Sequence, residues 1–120
     1  MFYQKDWIMK QIQSMIQLIA RFFFKKDIIK YKIVDETNIT QTDLLHKELV
    51  GLINSLRINE AENLLFERIR TNDLNYLAVA LDFYRRLNEL SDEQLEEADF
   101  SRDEIKNGLE EISRMYGLKL

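Results

Sequence analysis

No proline occurs in these 120 residues, and there are only three glycines: Gly51, Gly108 and Gly117. Proline and glycine supply most helix breaks and most of the tight turns between strands. A chain nearly without them has few ways to build hairpins and sheets, so its composition points to an all-α fold. Hydrophobic residues make up 46%, enough for one packed core, and a charged fraction of 32% suits a soluble surface. A length of 120 residues fits a single domain of ordinary size. The expected architecture is five to six helices, with a long amphipathic helix first and antiparallel helical hairpins after it.

The first helix runs from about Lys5 to Phe24 or Lys26. At ~100° per residue, its apolar residues from Ile8 to Phe23 cover roughly half the circumference. Lys10, Gln13, Ser14, Gln17 and Arg21 gather on the other side. A helix with one neighbour needs a stripe only somewhat wider than ~100°. This helix should therefore touch two things: its own domain, and a second copy, a partner helix or a lipid surface. Asp6, Lys10, Gln11, Gln13, Ser14 and Gln17 interrupt any secretory signal core, and they exclude a spanning helix, which needs ~20 mostly apolar residues.

From Ile28 to Val34 the pattern changes. Ile29, Tyr31 and Ile33 alternate with Lys30 and Lys32, a period of two that predicts an extended arm. A lone strand makes no sheet, so the arm must pack on helices or pair with another chain. The chain thus divides into an N-terminal helix (1–26), an arm and polar loop (27–41) and a helical-hairpin bundle (42–120). In the bundle, Thr40 or Thr42 opens the second helix, whose apolar face is Leu45, Leu49, Leu52, Ile53 and Leu56. Asn59 with Glu62 forms a capping-box pattern for the third. Asn72 or Asp73 opens the fourth, carrying Leu74, Leu77, Leu81, Tyr84 and Leu87. Ser91 with Gln94 opens a short fifth helix, and Ser101 with Glu104 the last. Gly117 reads as a left-handed stop that lets Leu118 fold back.

Leu45 to Leu65 resembles one tetratricopeptide unit. Leu45, Leu49 and Leu52 fall where its first helix needs apolar residues, and Ala61 where its second needs a small one. Leu49 replaces the usual glycine and Asp73 the usual proline, so the likeness is one of helical packing. A second resemblance spans nearly the whole chain. It rests on Asp6-Trp7-Ile8-Met9-Lys10 with Ile12, on Asn59-Glu60-Ala61-Glu62-Asn63-Leu64-Leu65-Phe66, on Ala80 with Asp82-Phe83-Tyr84 and Leu87-Asn88, and on Phe100-Ser101 with Glu104-Ile105. These segments resemble a family of short, uncharacterised helical proteins of Gram-positive, largely clostridial, bacteria. The resemblance implies a domain of unknown function in a bacterial cytoplasm, without an activity or site residues.

Chemistry-bearing motifs are scarce. No cysteine is present, which removes disulfides, thiolate nucleophiles and Cys-based zinc sites and suits a reducing cytosol. His46 is the only histidine. Its helical neighbours Asp43 and Val50 make no catalytic set, so it reads as an exposed helix residue. The carboxylates crowding the C-terminal third, Glu89 to Glu111, include no cation-binding loop, and several favour a helix start electrostatically. They read as a solvated acidic face. An acidic-site metal-dependent enzyme, with Glu96 or Asp99 in its site, is a second alternative. No glycine-rich loop exists to cradle a phosphate or a nucleotide, and no cofactor is expected.

Residues 1–32 carry a net +5, which leaves −9 for the rest of a chain whose total is −4. Internal attraction between the two parts is the plain explanation. A nucleic-acid surface needs interleaved basic and aromatic residues, and the aromatics here sit beside apolar core positions. The functional expectation is a non-enzymatic interaction module, self-associating as a homodimer or binding another protein through the N-terminal helix. Trp7, Phe22, Phe23, Phe24, Ile29 and Tyr31 are its candidate contacts, because aromatic anchors dominate interfaces. A peripheral membrane surface, with Lys10, Arg21, Lys25 and Lys26 toward anionic headgroups, is the alternative.

Overall fold

The computed structural model describes residues 2–120, with side chains from residue 5 onward. Six helices account for the regular structure: α1 (Phe2–Phe24), α2 (Gln41–Asn54), α3 (Ile58–Arg68), α4 (Leu74–Asn88), α5 (Asp92–Glu97) and α6 (Arg102–Met115). No strand is formed among the described residues. The radius of gyration is 13.9 Å, close to the ~13.6 Å of a compact chain this long.

Helix α4 lies at the centre. Tyr76, Leu77, Val79, Ala80, Leu81, Phe83, Tyr84 and Leu87 are all buried, and a helix that is apolar nearly all round belongs inside. α1, α2 and α6 pack against it, α3 packs on α2, and α1 also packs on α6. Leu74, expected on the buried face, is exposed. It occupies the first helical position, before the chain enters the core.

Local chemistry sets most of the helix starts. Thr40, Ser91 and Ser101 each accept from the backbone N–H three residues on. In return Asp43, Gln94 and Glu104 accept from the cap residue's own N–H, completing three capping boxes. Asp73 caps α4 by accepting from the Asn75 N–H. The expected box at Asn59 and Glu62 is not made. α3 begins at Ile58 behind Arg57, which gives no side-chain cap. Leu56 turns left-handed (φ 57°), and Ile58 is already fully buried. Burial of Ile58 starts the helix two residues too early for Asn59 to cap it. Asn59 instead donates to the Ala98 and Asp99 carbonyls at 3.4 and 3.3 Å. At the other end of the chain Gly117 adopts φ +86°, and the Leu118 N–H closes on the Ser113 carbonyl at 2.9 Å.

Helices α1 and α6 run in the same direction. Lys5, Trp7 and Ile8 share a cleft with Ser101, Arg102 and Asp103 at the start of α6. At the far end the Phe23 ring lies edge-on to Tyr116, with centroids 6.0 Å apart. Buried Arg102 fixes the near end by donating to the Asn88 and Leu90 carbonyls at 2.9 and 2.8 Å, while the Asn88 amide donates to the Met9 carbonyl at 3.1 Å.

Lys25 (φ 58°) ends α1, and the expected arm follows without ladder pairing. Ile29 is buried and Tyr31 half-buried, while Lys30, Lys32 and Val34 face out. The alternation is that of a strand, but the arm packs on helices. The Tyr31 N–H donates to Asp82 Oδ1 of α4 at 3.1 Å. The Tyr31 hydroxyl donates to Asp43 Oδ1 at 2.6 Å and lies 2.7 Å from the Thr42 hydroxyl.

Candidate functional site

The outer face of α1 follows from helical spacing. Counting ~100° per residue, Trp7, Gln11, Met15, Leu18 and Phe22 fall within about 80° of one another. Ile12, Ile16, Ile19 and Ala20 turn to the other side and are buried against α4 and α6. The domain covers only that inner side. Trp7 remains 65% exposed, Leu18 52% and Phe22 64%. Three large apolar side chains thus line one solvent-facing stripe from near the start of α1 to its end. Scattered exposed leucines are ordinary on protein surfaces, whereas an aligned row containing Trp and Phe is the composition of an interface core.

A cleft of about 830 Å³ opens at the Trp7 end of this stripe. Trp7, Ile8, Leu95 and Phe100 supply its apolar floor, and Lys5, Asp92, Glu96, Arg102 and Asp103 its rim. Lys5 and Arg102 are both held by Asp92, at 3.4 and 3.2 Å. That leaves Glu96 and Asp103 on the rim without an ion pair among the described residues. At the other end of the stripe Arg21 is paired with Asp27 at 2.5 Å, while Lys25 and Lys26 are exposed and unpaired among the described residues. A second cleft, about 700 Å³, separates the polar side of α1 (Lys10, Gln13, Gln17) from Asp27, Arg85 and Glu89. Two of its charges, Arg85 and Glu89, are already bonded to each other.

The strongest electrostatic feature lies inside. The fully buried Asp82 carboxylate accepts four donors. Oδ1 takes the Tyr31 N–H at 3.1 Å and Arg85 Nη2 at 2.6 Å. Oδ2 takes His46 Nε2 and Arg86 Nε, each at 2.7 Å. Burial alone would push this carboxyl up, but His46, Arg86, Arg85 and the Tyr31 amide outweigh it and hold Asp82 well below the usual carboxylate range. A carboxylate offers about four lone-pair sites, so Asp82 is saturated. His46 therefore belongs to this cluster and is not the exposed helix residue the sequence suggests. It is 16% exposed, with the Tyr31 ring 4.8 Å away. An oriented imidazole with no hydroxyl nucleophile in hydrogen-bond contact fastens the arm to α2 and α4. Asp82 interrupts the apolar run from Val79 to Tyr84 and has arginines at i+3 and i+4. Those are the signals by which sequence reading could have found the cluster.

A smaller buried contact joins α3, α4 and α6. The Tyr84 hydroxyl donates to Glu62 Oε2 at 2.6 Å. Burial pushes both groups up, with the Glu62 carboxylate adding to the rise at Tyr84. Among the described residues no group of three or more His, Asp or Glu side chains could hold a metal ion, and no helix is long and apolar enough to cross a membrane.

The sequence profile of one family of unknown function matches residues 2–117. The chain belongs to the DUF6483 family. No curated protein and no solved structure matches it. The family assignment agrees with the expectation of an uncharacterised helical domain over nearly the whole chain, and it brings no activity with it.

Within this DUF6483 chain the six expected contact residues divide into two groups. Trp7 and Phe22 stand on the outer stripe, joined by Leu18, which is not among those six. Phe23 and Phe24 are partly buried against the core. Ile29 is 9% exposed, and Tyr31 is bonded to Asp43 and Asp82. The last four stabilise the domain itself: three aromatics in a row cannot all face one way on a helix, and the arm found its partner within the chain.

Proposed function

We propose that this DUF6483 chain is a helical protein-interaction module that docks through the outer face of α1. The observation that carries this reading is the alignment of Trp7, Leu18 and Phe22, each more than half exposed, along one side of a helix whose other side is firmly packed. Most polar residues beside the stripe are neutral, Gln11, Gln13, Ser14 and Gln17; of the two cations among them, Lys10 and Arg21, the second is paired with Asp27. The neutral ones suit hydrogen bonding at an interface rim better than attraction to a negative lipid surface. The reading is non-enzymatic, because the one His–Asp pair is used in holding the arm. The α2–α3 hairpin keeps Leu45, Leu49, Ala61 and Leu65 in its buried seam, in support of tetratricopeptide-like packing. The absence of cysteine is consistent with work in a reducing cytoplasm.

A photo-crosslinking amino acid in place of Leu18, introduced in the source cells, tests the docking role. A discrete protein adduct at this position, absent when the probe replaces exposed Glu67 of α3, is the expected result. Adducts to lipid alone, or none at all, would remove the reading.

A further inference from the structure

We infer that the partner is a second copy of this chain, its α1 packed antiparallel so that the Phe22 end of each helix covers the Trp7 cleft of the other; the inference rests on the docking role of the α1 outer face. The stripe is self-complementary in that direction. A twofold axis passing between Ser14 and Met15 sets Trp7 against Phe22 of the other copy, and Gln11 against Leu18. Each aromatic anchor then meets an aromatic, as a two-fold interface requires of one surface patch used twice. Parallel pairing would stack Lys25 on Lys25.

The charges agree with the same arrangement. Beside Trp7 the cleft rim presents Glu96 and Asp103, and just past Phe22 the chain presents Lys25 and Lys26. None of the four has an ion-pair partner in its own chain among the described residues. Antiparallel pairing brings the basic end of each copy to the acidic rim of the other, twice. The uneven distribution, +5 in residues 1–32 and −9 beyond, thereby acquires a role between copies as well as within one.

Two variants test the pairing. One carries Glu96→Lys and Asp103→Lys, the other Lys25→Glu and Lys26→Glu; all four positions are exposed, and circular dichroism checks that both variants keep the fold. By sedimentation, each variant alone should dissociate at concentrations about tenfold higher than the unaltered chain, because like charges face each other at both ends. Mixed in equal amounts they should recover the original dimer, since every rim then meets an opposite charge. A strict monomer at hundred-micromolar concentration, or a mixture associating no better than its components, would overturn the pairing. The Leu18 crosslink separates this outcome from failure of the docking role: an adduct to a different protein keeps the role and removes the homodimer.

Discussion

Asp82 shows how much one side chain can organise. Its carboxylate joins the arm, α2 and two arginines of its own helix, so Asp82→Asn leaves two partly buried arginines short of a charge. Denaturant unfolding of that variant should show a loss of about 3–5 kcal/mol. The acid dependence has a definite sign. Because the folded-state pKa is depressed, the contribution is complete above the unfolded value of ~3.9 and is lost as pH falls further. The intact protein should thus lose more stability below pH ~4 than the Asn variant does. Glycines offer an opposed pair of tests. In exposed Gly51 of α2 a Cβ meets nothing within 4 Å, whereas at Gly108 it would lie 2.6 Å from Tyr84 Cζ and 2.7 Å from Glu62 Oε2. Gly51→Ala should raise stability by up to ~1 kcal/mol, and Gly108→Ala should lower it by about 1–3 kcal/mol; thermal melts of both variants check the contrast. Neither Gly108 nor His46 could be read in advance. Their constraints come from residues 24 to 46 positions away, and local spacing carries no record of them.

Helices were legible where a short polar side chain sets the start. Thr40, Ser91 and Ser101 act within three residues of themselves, so their chemistry is written locally. Ser101→Ala should cost about 1 kcal/mol in denaturant unfolding by removing the α6 box. α3 escaped the same logic because Ile58, not a cap, decides where it begins. The arm was half legible: its alternation gave the extended conformation, but the choice between helices and another chain depended on Asp82 and Asp43. Tyr31→Phe removes the hydroxyl from Asp43 and Thr42. Faster amide exchange confined to residues 28–34, with a global loss of about 1 kcal/mol, is the expected result.

For the molecule as a whole, the breadth of the apolar surface on α1 was legible, and Trp7, Leu18 and Phe22 are the part of it that the domain leaves exposed. Which aromatics lie outside was not. Phe22 and Phe23 differ by one residue and ~100° of helix, and only α6 decides which is covered. Phe22→Asp should therefore leave the melting temperature nearly unchanged while abolishing any concentration-dependent association, whereas Phe23→Asp should destabilise the fold; calorimetry and light scattering together separate the two. The parallel packing of α1 on α6 has a further consequence during synthesis. Ile12, Ile16 and Ile19 leave the ribosome roughly sixty residues ahead of α4 and more than eighty ahead of α6, the two helices that shelter them. At ~5–20 residues per second, that oily segment waits for seconds on the nascent chain before its shelter is complete.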